Sequence, residues 1–202
     1  MKNLTFTFLL LVFAIPLFSQ TNISESELDK KVLAYLKNND SKWESHHIPE
    51  SDGKAFYDII IKNQYKSVVE IGTSTGYSTI WLAWALSKTG GKLITIEIDK
   101  ERYETALKNF KEVGLAEFID ARLANAHEFV YKLNGTIDFV LMDADISTDY
   151  FKALAPKLIK GGVYITHGNR SEDNDYAKYL KGYKDFETNF KTGGGFCLSK
   201  KK

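Results

Sequence analysis

Cysteine is almost absent from this chain. Cys197 stands alone among 202 residues, which excludes an intramolecular disulfide framework and any cysteine-based zinc cluster. An excess of either charge is missing too: Lys and Arg number 27, Asp and Glu 26, for a formal net charge of +1. No electrostatic footprint therefore marks a nucleic-acid-binding body. Low-complexity stretches, internal repeats and linkers are also lacking, and a chain of this length is expected to form one domain, over residues 21–202. What is present is 44% hydrophobic and 13% aromatic content, enough to bury a sizeable core.

The first twenty residues stand apart from that body. Lys2 is their only charge, Leu4 to Phe18 is an apolar run interrupted by Thr5, Thr7 and Pro16, and Ser19 to Asn22 is small or polar. This pattern reads as a secretory signal peptide over residues 1–20 and predicts an exported protein, periplasmic or secreted. The run is shorter than the roughly 20 residues that cross a bilayer as a helix. Residues 4–18 retained as an anchor are the alternative, and contact with a membrane is expected only in that case. Leu17-Phe18-Ser19-Gln20 lacks small residues at both positions that a signal peptidase usually reads, and no cysteine follows to accept a lipid. A buried N-terminal helix is the third reading, which Pro16 fits poorly.

Downstream, strands and helices alternate. Ser24 and Glu27 have capping-box spacing, and Leu28, Val32, Tyr35 and Leu36 recur at helical intervals to about Lys37. A second helix is expected over 54–63. Buried strands are expected at 67–71, 93–98, 118–123, 137–142 and 163–166, with helices between them at 77–88, 101–113, 126–133 and 149–158, the last kinked or shortened by Pro156. A helix near 173–181 and a hairpin of 185–190 with 196–199 close the chain. Repeated β-α units with short connections predict an α/β, doubly wound, mostly parallel sheet with helices on both faces and an antiparallel edge. Ligands of such sheets sit outside the carboxyl ends of the central strands.

Three strand ends carry chemistry. Glu70-Ile71-Gly72-Thr73-Ser74-Thr75-Gly76-Tyr77-Ser78 places two glycines where a tight turn and close backbone approach to a ligand are needed. It lacks the middle glycine of a G-x-G-x-x-G fingerprint and the Lys-Ser/Thr pair of a P-loop. Phosphate ligands and a nicotinamide-dependent oxidoreductase are both disfavoured, and a purely packing turn is the bland alternative. Glu97 and Asp99 follow the second strand. A carboxylate there can accept hydrogen bonds from ribose hydroxyls, although Asp99 reads better as the cap of the next helix. Met142-Asp143-Ala144-Asp145 puts two acids at the mouth of the site, suited to a cationic ligand or a divalent metal, or to solvent alone.

In this order and spacing these segments, with Ile48-Pro49-Glu50-Ser51-Asp52-Gly53 and Leu158-Ile159-Lys160-Gly161-Gly162, resemble the catechol- and caffeoyl-CoA-type O-methyltransferases, class I enzymes that use S-adenosylmethionine. The resemblance covers about three quarters of the chain. It implies a Rossmann-like, seven-stranded sheet with a reversed C-terminal hairpin, a small-molecule acceptor, and it admits a homodimer. By resemblance, Glu70, Gly72, Thr73, Gly76, Tyr77 and Ser78 surround the methionine part of the cofactor. Glu97 with Ile98 holds the ribose, Ala126 and His127 lie beside the adenine, Asp143 borders the site, and Ile48 closes it from the N-terminal side.

The catalytic half departs from that pattern. The resemblance implies a divalent cation bound by Asp143 and an Asp-Asn pair after the fifth strand, with a lysine base three residues beyond Asp143. This chain has Ile146 at the lysine position and His167-Gly168 at the pair, with Asn169 one residue late. Three readings follow. Asp143, His167 and Asn169 form an altered metal site, imidazole favouring transition metals over magnesium; His167 acts as a metal-free base; or transfer is lost and a secreted nucleoside-binding or interaction protein remains. A strand-end histidine bonded to backbone is the bland reading of His167. His46 and His47, adjacent on an extended segment, point to opposite sides and are not a shared ligand pair; His46 is expected at the mouth of the site.

Overall fold

The computed structural model describes residues 25–39, Trp43, 47–169 and 171–202. The expectations for residues 1–20, the Ser24 cap and His46 lie outside the described residues. No described helix is long and apolar enough to cross a membrane.

Helices α1 (Glu25–Asn38) and α2 (Glu50–Asn63) precede five β-α steps: β1 (Ser67–Ile71), α3 (Tyr77–Thr89), β2 (Lys92–Glu97), α4 (Lys100–Val113), β3 (Ile119–Leu123), α5 (Ala126–Phe129), β4 (Ile137–Met142), α6 (Thr148–Leu154), β5 (Leu158–His167) and α7 (Asp175–Lys181). Strands β6 (Phe186–Asn189) and β7 (Phe196–Lys201) form the hairpin. The seven strands are ordered β3-β2-β1-β4-β5-β7-β6. The first five are parallel, and β7 runs antiparallel between β5 and β6.

Side chains alternate across a strand, so the sheet carries two cores. Val68, Leu93, Phe139, Leu141, Val163 and Ile165 pack with apolar residues of α1 to α4 on one face. Val69, Ile71, Val140, Met142 and Tyr164 pack with α6 and α7 on the other. Helix α3 is buried nearly all round, as its uniform apolarity predicts. The outer layer supplies the cover. The Trp84 indole donates to Asp29 on α1 at 2.6 Å, and Gly53 on α2 leaves room for the Trp81 ring, where a Cβ would collide.

Three boundaries differ from the sequence reading, each for a local reason. Helix α2 starts at Glu50 rather than at 54, because Pro49 sits at the N-cap and Glu50 and Asp52 occupy the first turn, where acids suit the helix dipole. Strand β5 starts at Leu158, five residues early: Leu158 pairs with Ile137, and an irregularity there absorbs Gly161 and Gly162 within the strand rather than in a turn. The segment 126–133 is one α-helical turn followed by a 3-10 turn at Val130–Lys132. Pro156 does shorten its helix, since α6 ends at Leu154 and the chain tightens to 3-10 geometry at Ala155–Lys157.

Candidate functional site

The strand order reverses between β1 and β4, and a cavity of about 370 Å³ opens at the carboxyl ends of these strands and β2, where doubly wound sheets bind ligands. The loop after β1 forms its floor. Gly72 and Thr73 donate their amides to the Ile96 carbonyl on β2, and Asp143 donates to Ile71. Gly72 has φ +95°, and a Cβ there would run into the Asp143 carbonyl, so this position needs glycine twice over. Ser74 adopts φ +49°, a left-handed conformation that costs a side-chain-bearing residue about 1–2 kcal/mol.

Glu97 holds Ser74 there. One of its carboxylate oxygens accepts from the Ser74 amide at 2.7 Å, while the other accepts from Ile98 and Asp99 at 2.9 and 2.8 Å. A carboxylate has about four acceptor positions, so Glu97 keeps capacity for a ligand hydroxyl on Oε2 and cannot swing away. Asp99 is the cap of α4, accepting from the Arg102 amide at 2.9 Å, as the sequence reading favours. Ile98 is 71% exposed at the rim, an unusual place for isoleucine that a flat ligand face would cover. On the opposite rim His127 stacks on Tyr150 with ring centroids 4.4 Å apart and reaches Asp145 at 3.4 Å. Burial and the neighbouring Asp145 push the Tyr150 hydroxyl up to about 12.

Glu70 stands behind this lining, fully buried. Its carboxylate accepts from Ser78 at 2.6 Å, Thr79 at 2.5 Å and Thr95 at 2.6 Å, and Thr73 pairs with Thr95 at 2.6 Å. Burial pushes its pKa up to about 7; the three hydroxyls pull it down and the Asp143 charge adds to the rise.

The third part of the site joins distant segments. His167, the last residue of β5, places Nδ1 3.0 Å from Asp143 Oδ1 and Nε2 3.3 Å from Asp52 Oδ2. Burial pulls the His167 pKa down, but the hydrogen bond and charge of Asp143, then those of Asp52, outweigh it and the net shift is upward. Asp52, on the first turn of α2, is buried and also accepts from the Gly195 amide at 2.8 Å.

The family model described as O-methyltransferase matches residues 21–172. This chain belongs to the O-methyltransferase family. It is 37% identical over 116 residues to a catechol O-methyltransferase of Niastella koreensis, covering 54% of this chain and 52% of that one. It is 31% identical over 153 residues to a caffeoyl-CoA O-methyltransferase of Zinnia elegans, covering 67% and 62%. The chain thus spans little more than half the length of the curated relatives it matches. Among solved structures, an O-methyltransferase from Bacillus cereus in complex with SAH superposes with a TM-score of 0.71 at 23% identity, covering 86% of this chain and 91% of that one. The O-methyltransferase TomG from Streptomyces achromogenes, in complex with SAM, gives 0.68 at 25% identity, covering 91% and 93%.

Of the residues expected in an O-methyltransferase cofactor site, Ile48, Gly72, Thr73, Tyr77, Ser78, Glu97, Ile98, Ala126, His127 and Asp143 line the cavity. Glu70 and Gly76 do not. Glu70 acts through Ser78, and Gly76 is the left-handed N-cap of α3, packed so tightly on Phe110 that a Cβ would not fit. His47 lines the cavity, its ring 4.6 Å from that of Tyr77. Arg102, Asn125 and Tyr150 also line it and have no counterpart in the sequence reading. Stacking with His127 could have flagged Tyr150 only once the fold joined α5 and α6.

Of the expected metal set, Asp143 and His167 meet each other. Asn169 turns its amide oxygen to Asn174, 2.7 Å away, and its amide nitrogen is buried without a partner. Both nitrogens of His167 already face carboxylates, at 3.0 and 3.3 Å, so neither edge of the ring is open to a metal. Among the described residues no group of three His, Cys, Asp or Glu side chains is arranged to hold a metal ion. The residues present do not fit a divalent cation. His167 does not line the cavity, and Ile146, 45% exposed, carries no basic group. Asp52, which completes the arrangement, has no site role in the sequence reading, where it stands only within the segment 48–53 of the resemblance.

Proposed function

We propose that this protein transfers the methyl group of S-adenosylmethionine to a hydroxyl oxygen of a small aromatic acceptor. The observation that carries this reading is the donor set of the cavity: a carboxylate locked by three backbone amides at the end of β2, beside a glycine turn. Such a set suits a cofactor with ribose hydroxyls and a cation. Glu97 accepts from the ribose, Ile98, Ala126 and His127 flank the base, and Tyr77, Ser78 and the backbone from Gly72 to Thr75 surround the amino-acid end. When bound, the sulfonium offers a methyl carbon open to in-line displacement, which needs mainly alignment of donor and acceptor. Asp143 borders the cavity with one oxygen tied to His167, leaving Oδ2 to accept the acceptor's hydroxyl hydrogen. That proton becomes far more acidic as the oxygen gains carbon, so a carboxylate suffices to receive it. The relatives named for catechol and caffeoyl-CoA support an aromatic acceptor.

Calorimetry with S-adenosylmethionine and its demethylated product, alongside mass-spectrometric screening of phenols and catechols, tests the proposal. Saturable binding that Glu97→Ala abolishes, with methylated product, is expected; absence of binding at millimolar ligand sinks it. A second reading, a ligand-binding protein without transfer, is favoured by Ile146 at the lysine position and by the occupied nitrogens of His167. Binding without product from any phenol, with or without divalent metals, would select it. We also infer export on the strength of the apolar segment 4–18; cell fractionation and sequencing of the mature N-terminus decide between cleavage and anchoring.

A further inference from the structure

We propose that the Asp52–His167–Asp143 bridge is a built-in cation that takes the place of a divalent metal between two site carboxylates, with Asp52 as its positioning residue. It follows that the acceptor needs only a single hydroxyl. The second statement rests on the methyl-transfer reading of the cavity; the first does not.

The argument begins with the two ring nitrogens. They lie 3.0 Å from Asp143 and 3.3 Å from Asp52. A neutral imidazole has one N–H and one lone pair, so it would turn that lone pair against one carboxylate. Only the imidazolium donates to both. The trio then carries a net charge of −1, where an uncompensated pair of carboxylates would carry −2, and Asp52 is 1% exposed, a burial that an unpaired charge does not tolerate.

The bridge is also built by the fold. Gly195 donates to Asp52 Oδ2 at 2.8 Å, Ser51 donates to Oδ1 at 3.4 Å, and Gly168, next to His167, donates its amide to the Gly195 carbonyl at 2.8 Å. Gly194 packs so close that a Cβ would come 2.5 Å from Asp52 Oδ1. Helix α2, the end of β5 and the terminal hairpin thus fix Asp52, and Asp52 fixes the ring.

The consequence concerns the acceptor. A divalent cation has coordination positions that gather oxygen ligands, two at once from a vicinal diol. An imidazolium enclosed by two carboxylates has none to offer. Asp143 Oδ2 remains; it can accept a hydroxyl but cannot chelate a vicinal pair, so a second hydroxyl is not needed to hold the acceptor.

The test uses the full chain labelled with ¹⁵N-histidine. Long-range proton–nitrogen spectra are expected to show both His167 nitrogens protonated, assigned by loss of the signals in His167→Gln, and Asp52→Asn is expected to move them towards the neutral form. Manganese(II), followed by electron paramagnetic resonance, should leave the wild type unbound at millimolar metal. His167→Asp, with three carboxylates converging, should gain one stoichiometric site. A neutral ring in the wild type, stoichiometric manganese binding with broadening of the His167 signals, or a folded His167→Asp that binds no metal would each overturn the bridge. The wild-type measurements stand even if the variants do not fold. For the acceptor, monophenols and catechols should be methylated at rates within about tenfold of each other, unaffected by EDTA. Turnover of catechols alone overturns the single-hydroxyl statement. Failure to bind S-adenosylmethionine overturns the methyl-transfer reading, while the spectra still decide the bridge.

Discussion

Replacing Glu70 by glutamine should make the protein progressively more stable than the wild type as pH rises from about 4.5 to 7, and the size of the effect follows from the burial of this carboxyl. In the unfolded chain it ionises near its ordinary value of 4.5, whereas in the fold burial raises that value to about 7. Below pH 4.5 both states hold the proton and the group contributes no pH dependence. Between the two values the unfolded state gives up its proton while the folded state keeps it, so wild-type stability falls by about 1.4 kcal/mol per pH unit. Above pH 7 both are ionised, and the accumulated penalty is about 3 kcal/mol. Glutamine carries no such penalty, and the hydroxyls of Ser78, Thr79 and Thr95 can each turn to accept from its amide. Urea unfolding of both proteins at pH 4.5, 5.5, 6.5 and 7.5 measures the difference. A stability difference that stays constant within about 0.5 kcal/mol over that range refutes the reasoning, since that is ordinary scatter for a surface change. A difference of opposite slope would mean that the three hydroxyl donors prevail over burial and hold the folded carboxylate ionised.

Three further outcomes are expected. Glu97→Gln should weaken binding of the demethylated cofactor product on the order of 10- to 100-fold by calorimetry, the loss of a charged acceptor being worth about 1.5–3 kcal/mol. Gly72→Ala should cost about 2–5 kcal/mol in urea unfolding, adding left-handed strain to a collision with the Asp143 carbonyl; a loss under 1 kcal/mol would mean that the loop relaxes freely. Gly194→Ala should cost about 1–3 kcal/mol from overpacking and shift the His167 nitrogen signals while leaving cofactor affinity unchanged, which isolates the bridge from the cofactor pocket.

The cofactor side of the site was legible in the sequence because its parts are local. Gly72, Thr73, Tyr77 and Ser78 follow β1 within seven residues of its end, and Glu97 ends β2, its parallel neighbour. Their geometry is set by backbone: a left-handed glycine, a strand end, the first turn of a helix. Glu70 was misplaced for a related reason. It lies in β1 itself, and which face of a fully buried strand its side chain takes cannot be read from a run that is buried on both sides. The starts of α2 and β5 differ from expectation because glycines that commonly end an element lie inside one, Gly53 within α2 and Gly161-Gly162 within β5.

The surroundings of His167 were illegible because they have no local motif. His167 meets Asp52 across 115 positions of the chain, and Asp52 meets Gly195 across 143. No spacing rule joins residues so far apart, and Asp52 alone is a first-turn acid with an adequate explanation as a partner of the helix dipole. Its second partner is supplied only by sheet order. Because β7 inserts between β5 and β6, the loop that precedes it returns beside the end of β5, which brings the Gly195 amide to the same carboxylate that His167 needs. The departure from the family pattern that reads in isolation as a loss, His167-Gly168 for an acid-amide pair, sets an imidazole between Asp143 and Asp52.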